Sequence, residues 1–231
     1  MGKSYLRQLL CFFLVMESII YLLFLFFDFN GYTINSSYLK FSGLIIIVLY
    51  SFTYYKNWDL KHLLYRIALI GTLNADYFLL LLDECYECGI SIFIFVQIIY
   101  FLIIHQRSSM KGYLLSLGIR VVLIVSSIII LKTFDFGVCD SLLHELAVIY
   151  FLNLLINAIE SFYYHRKGTV HIFLAIGLVL FVLCDLTVAI YNLTTDSQIL
   201  YKISEILMWL FYFPSQVLIV LSLDYDKIMI K

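Results

Sequence analysis

Long apolar runs, broken at near-regular intervals by short polar clusters, dominate the pattern along the chain. A run of about 20 apolar residues at 1.5 Å per residue is long enough to cross a bilayer as a helix. The pattern predicts eight such spans, at residues 7–27, 37–55, 63–83, 89–105, 113–132, 141–163, 170–193 and 200–223. The connections between them are short, and no long polar insertion divides the chain. The expected fold is therefore all-α: a polytopic membrane protein, a bundle of eight transmembrane helices forming one integral membrane domain over residues 1–231. Composition agrees, with 63% hydrophobic residues, 13% charged residues and a single proline, Pro214. A soluble domain of this size has too little interior to hide that much apolar surface. The first span is long for a signal-peptide core and lacks a small-residue cleavage site, so it is read as retained.

Charge orients the layout. With eight spans, Lys3, Arg7, Lys56, Lys61, Arg66, Arg107, Lys111, Arg166, Lys167, Lys227 and Lys231 fall on one side. The other side carries only Lys40, Lys132 and Lys202, with the acids Asp28, Asp83, Glu84, Glu87, Asp135, Asp140 and Asp196. The positive-inside rule then places both termini in the cytoplasm of a multi-pass protein of the cell membrane. Arg120 falls within the fifth span, where it either snorkels or pairs with an acid. Cys85 and Cys88 form a CxxC in an outer loop, and Cys139 lies in another. Loop thiols are the leading reading, with an outer-face disulfide as the alternative.

Ionisable residues deep in the spans carry the chemical interest, because an enclosed charge or dipole is costly unless it serves a site or a buried network. Asp76 lies roughly 10 Å, and Asp185 roughly 12 Å, below the outer ends of their spans at 1.5 Å per residue. Two short carboxylates on separate helices thus share one level. Glu205, Trp209, Tyr212 and Gln216 recur at helical spacing on the eighth span, as do Tyr150, Asn153, Asn157 and Glu160 on the sixth. Gln97 with Tyr100, and Glu17 with Tyr21, share faces of the fourth and first spans. Such stripes must face the bundle interior, although interhelical hydrogen bonding is a common use for Asn, Gln and Tyr there. The acids Asp135 and Asp140 read as solvated loop residues, and His105 and His165 as part of the positive flanks. A faint duplication relates "NADYFLLL" to "LCDLTVAIYN", with Gln97 and Gln216 in the span following each.

No phosphate loop, HExxH zincin or GxSxG elbow occurs, and no metal-ligand spacing is evident. The scattered cations suggest no nucleic-acid partner. A small proton-coupled carrier with a buried Asp pair, or a non-catalytic module binding lipid or another amphiphile, would also use these features.

Five segments in order resemble the YhhN-like lysoplasmalogenase family, whose members are eight-span membrane proteins. They are "LKFSGLIIIVLYS", "NADYFLLLL", "FIFVQIIYFLI", "AIGLVLFVLCDLTVAIYN" and "LFYFPSQVLIVLS", within Lys40 to Leu223. Phe41, Ala75, Gln97 and Cys184 stand where the family pattern has Pro, Gly, His and Ser. The resemblance implies hydrolysis of the vinyl ether bond of lysoplasmalogens to a fatty aldehyde and a glycerophospho-headgroup. A desolvated carboxyl can hold the proton that such a bond must receive, and a second carboxylate can orient water. On this reading Asp76 and Asp185 are the catalytic pair, and Lys40, Asn74, Gln97, Tyr100, Tyr212 and Gln216 bind the lysophospholipid substrate. No metal or organic cofactor is implied.

Overall fold

The computed structural model describes residues 3–54, 59–133, 142–193 and 198–223. The sequence readings at Lys56, Asp135, Cys139, Asp140, Asp196, Lys227 and Lys231 lie outside these residues. Eight helices follow one another: α1 (Lys3–Phe29), α2 (Thr33–Tyr54), α3 (Leu60–Asp76), α4 (Tyr86–His105), α5 (Met110–Thr133), α6 (Leu142–Arg166), α7 (Ile172–Leu193) and α8 (Gln198–Leu221). A π-helical turn, Tyr77–Leu82, prolongs α3. Among the described residues all eight helices are long and apolar enough to cross a membrane, and no strand is present.

Contacts between helices define the architecture. α2, α3, α4, α6, α7 and α8 pack each against the next, and α8 returns to α2, closing a ring of six. α1 lies outside the ring against α2 and α8, while α5 lies outside it against α6. The most extensive pairings are α7 with α8 and α3 with α4, the equivalent pairs in the faint duplication. α7 and α8 approach closely at Gly177. A Cβ there would sit 3.1 Å from the Ser215 carbonyl oxygen, so a larger residue would push the two backbones apart.

Local chemistry explains the ends and irregularities. Asp59 caps α3 by accepting from the His62 N–H at 3.0 Å, which satisfies an otherwise orphaned donor of the first turn. Gly168 turns the chain between α6 and α7 at φ 71°, a conformation that costs glycine little. Pro214 sits inside α8 and deprives the Leu210 carbonyl of its helical donor. The Tyr21 hydroxyl on α1 donates to that carbonyl at 3.3 Å and so replaces the missing bond.

Two buried ion pairs attach the outlying helices. Lys40 of α2 bonds Asp28 of α1 at 3.0 Å, and the two side chains are 5% and 2% exposed. Asp28 is therefore enclosed, not the free outer acid expected from the charge pattern. Arg120 of α5 reaches into the bundle, where its guanidinium bonds Glu160 and also donates to Asn157 Oδ1 at 2.9 Å and to Asn153 Oδ1 at 3.2 Å. Of the two expectations for Arg120, pairing with an acid holds. Ser116 donates to the same Glu160 carboxylate, and His105 lies 3.8 Å from it. His105 is buried among Phe101, Tyr113 and Tyr164, which corrects its assignment to a solvated flank.

Removing one member of a buried pair strands the other charge, a loss on the order of 3–5 kcal/mol. Arg120→Leu is expected to lower the thermal unfolding midpoint of the purified protein clearly, whereas Lys111→Leu at the exposed start of α5 should not. Equal midpoints for Arg120→Leu and the unaltered chain would contradict this account of α5.

Candidate functional site

Asp76 ends the regular part of α3, where the backbone loosens into the π-helical turn. A π turn widens the helix by one residue and often marks a functional position, because it re-aims the side chains around it. No signal in the Leu-rich run "YFLLLL" announces it. The turn ends in a tight connection in which Asp83 (φ 52°) and Cys85 (φ 53°) both adopt the left-handed conformation.

Asp76 is buried and points across the ring, where the Tyr212 hydroxyl of α8 donates to its Oδ2. Asp185 of α7 is half-buried, with Oδ2 fully enclosed. The two acids are close enough for their charges to interact. Tyr150 of α6 faces Asp185 with its hydroxyl, just short of full hydrogen-bond geometry. Each carboxyl therefore has its own tyrosine from a neighbouring helix.

An aromatic floor holds both tyrosines. Phe181, one turn before Asp185 on α7, meets the Tyr212 ring edge-on at 5.3 Å between centroids and the Tyr150 ring at 6.4 Å. Phe93 of α4 lies 5.7 Å from Phe181 and stacks on Tyr150 at 5.4 Å. These edge-on and offset arrangements suit the charge distribution of aromatic rings and restrict where the hydroxyls can point. The Cys184 thiol, buried, adjoins both acids.

The structure divides the remaining sequence candidates. Asn74 is exposed, and its amide donates back to the Ile70 carbonyl at 2.8 Å. Two residues before Asp76 is some 200° around a helix, so the side chain leaves on the opposite face, and Asn74 is not part of the cluster. Lys40 sits between Asp28 and the Trp209 ring, 4.5 Å from its centroid, and its charge is already matched inside the protein. It thus fastens α1 to α2. Gln97 is buried and accepts from the Asn157 amide at 3.0 Å, which ties it to the Arg120 network. Tyr100 is buried beside Thr72. Gln216, one turn beyond Tyr212, is completely buried, and neither amide atom has a hydrogen-bond partner.

Tyr150 is the residue the sequence reading placed in a stripe without assigning it to the site. The stripe splits: Tyr150 turns to Asp185, while Asn153, Asn157 and Glu160 turn to Arg120. Cys85 and Cys88 are exposed free thiols. Among the described residues, no three His, Cys, Asp or Glu side chains converge on a point that could hold a metal ion.

Breaking one partner of a buried hydrogen bond costs about 1–3 kcal/mol, while removing both is milder. Tyr212→Phe and Asp76→Asn are therefore expected to be non-additive in thermal unfolding, with a coupling of about 0.5–3 kcal/mol in a double-mutant cycle. Strict additivity would mean that the Tyr212–Asp76 bond does not form.

The family model described as the YhhN family matches residues 35–223, from the start of α2 to the end of α8, and the chain belongs to that family. No curated protein matches. No solved structure matches either.

Proposed function

Starting from membership of the YhhN family, we propose that the protein is a multi-pass membrane hydrolase that cleaves the vinyl ether bond of lysoplasmalogens. What supports this reading is a pair of enclosed acids within electrostatic range of each other, Asp76 hydrogen-bonded by Tyr212 and Asp185 faced by Tyr150. The eight apolar helices lie across the membrane, with both termini on the cytoplasmic side, as the lysine and arginine bias argues.

The two acids differ in access, and this divides the labour. Asp76 is enclosed and supplies the proton to the vinyl carbon remote from oxygen. The positive charge then spreads over the adjacent carbon and the ether oxygen. Asp185 is half-buried and orients a water, removing a proton as the water adds to that carbon. The resulting hemiacetal collapses to a fatty aldehyde and the freed glycerol hydroxyl. Overall the alkenyl ether and one water become aldehyde and alcohol, with no oxidant or cofactor in the balance. The buried rings of Phe181, Tyr150 and Phe93 make the surroundings of the two acids apolar and aromatic.

Purified protein supplied with a lysoplasmalogen in detergent micelles should release fatty aldehyde. Asp76→Asn and Asp185→Asn should each reduce the rate by about 100-fold or more, the usual contribution of a positioned acid or base. Aldehyde release by both variants at the unaltered rate would remove the pair from the reaction. Lipid binding without turnover would favour a non-catalytic module. That reading draws on Gln97, an engaged amide at the position of the family's histidine.

A further inference from the structure

A second set of enclosed polar groups continues from Asp76 toward the other end of the bundle, and the Asp76–Asp185 pair does not account for it. Thr72 lies one turn before Asp76 on the same face of α3, and the two are 2% and 6% exposed. Side chains four residues apart on a helix are neighbours, with Cβ atoms about 5–6 Å apart. The Thr72 hydroxyl is the side-chain neighbour of the Tyr100 hydroxyl on α4, just outside hydrogen-bond geometry. Tyr100 in turn lies close enough to Tyr65 of α3 for their hydroxyls to interact. A 3.1 Å hydrogen bond joins the Tyr65 and Ser222 hydroxyls, and Ser222 follows the last turn of α8 at the far end of the bundle.

Four hydroxyls thus stand in file behind one carboxyl: Thr72, Tyr100, Tyr65 and Ser222. All four are less than a tenth exposed. Around them the interior is apolar, with Ala68, Leu69, Ile104 and Ile219 almost fully enclosed. Packing alone accounts poorly for two of these hydroxyls. The Thr72 and Tyr100 oxygens have no hydrogen-bond partner, and leaving a buried hydroxyl unbonded is costly. Valine and phenylalanine would fill the same volumes without that penalty. A hydroxyl donates and accepts through a single atom, and so can take a proton on one side while releasing its own on the other.

We infer that Thr72, Tyr100, Tyr65 and Ser222 form a proton path that returns a proton to Asp76 from the Ser222 end of the bundle. This rests on the reading of Asp76 as the proton donor. In each cycle Asp76 gives its proton to substrate carbon, while Asp185 gains one from water and releases it by a separate route. The path restores Asp76: one proton enters at Ser222, each hydroxyl passes one on, and one arrives at the carboxylate, with no change in redox state. The gaps at Tyr100 close by small side-chain shifts or through a single bridging water.

The test reads the proton on Asp76 directly. The full chain, in phosphatidylcholine vesicles, is moved from H2O into D2O and followed by infrared spectroscopy. The carboxyl C=O band of Asp76 is identified by its disappearance in Asp76→Asn. Exchange of that band is expected to slow at least tenfold in Thr72→Val and in Tyr100→Phe, and to stay near the unaltered rate in Thr72→Ser, which keeps the hydroxyl. Equal rates in all three variants, or no protonated Asp76 band in the unaltered chain, overturns the path. If Thr72→Val fails to fold, Tyr65→Phe and Ser222→Ala supply the same comparison further along. A chain that shows this pattern but releases no aldehyde sinks the hydrolase reading and leaves the path standing. Aldehyde release with uniform exchange does the reverse.

Discussion

A polar group enclosed by apolar helices has no solvent to turn to, so its partner must come from another helix, and this requirement organises the whole bundle. Tyr212 meets Asp76 across the ring and thereby joins α8 to α3 at the level of the site. Lys40 and Asp28 fasten α1 to α2, and Arg120 with Glu160 fastens α5 to α6. Tyr21 completes the hydrogen bonding that Pro214 leaves open in α8. Dispersion and shape pack the helices together, but these few polar contacts select which faces meet.

The site follows from the same requirement. One acid is bonded by a tyrosine from another helix and the second is faced by a tyrosine from a third, so the scaffold fixes the orientation of Asp76 and the surroundings of Asp185. Phe181 touches both tyrosine rings, so a shift of α7 would disturb the two acids together. Gln97 is already held by Asn157 and lies on the side of the Arg120 network.

Much of this architecture was legible in the sequence, for physical reasons that also mark its limits. Runs of 20 apolar residues leave little choice but a helix, so the eight helices and the places of Asp76 and Asp185 within them could be read directly. Direction was harder. Asn74 adjoins Asp76 in sequence yet leaves the helix on the other side, and the assumed regular helix gave no hint of the π turn that follows. Pairings between elements were invisible to periodicity: Lys40 finds Asp28 across a turn, 12 residues away, where the charge pattern shows only that both lie on the same side. Tyr150 was recognisable as inward-facing, but only the packing of α6 on α7 brings it to Asp185.

The tether of α5 bears on how the chain is built. Among the described residues α5 contacts only α6 extensively, and it is anchored there by the Arg120 guanidinium and the Ser116 hydroxyl on Glu160. In a bilayer, an unaccompanied arginine near the middle of a helix is disfavoured by about 2.5–3.5 kcal/mol on translocon-insertion scales. Glu160 removes that penalty, and it arrives on the very next segment to be synthesised. For helices long and apolar enough to cross a bilayer, such a pair favours insertion of α5 and α6 together as a hairpin, the later segment rescuing the earlier one.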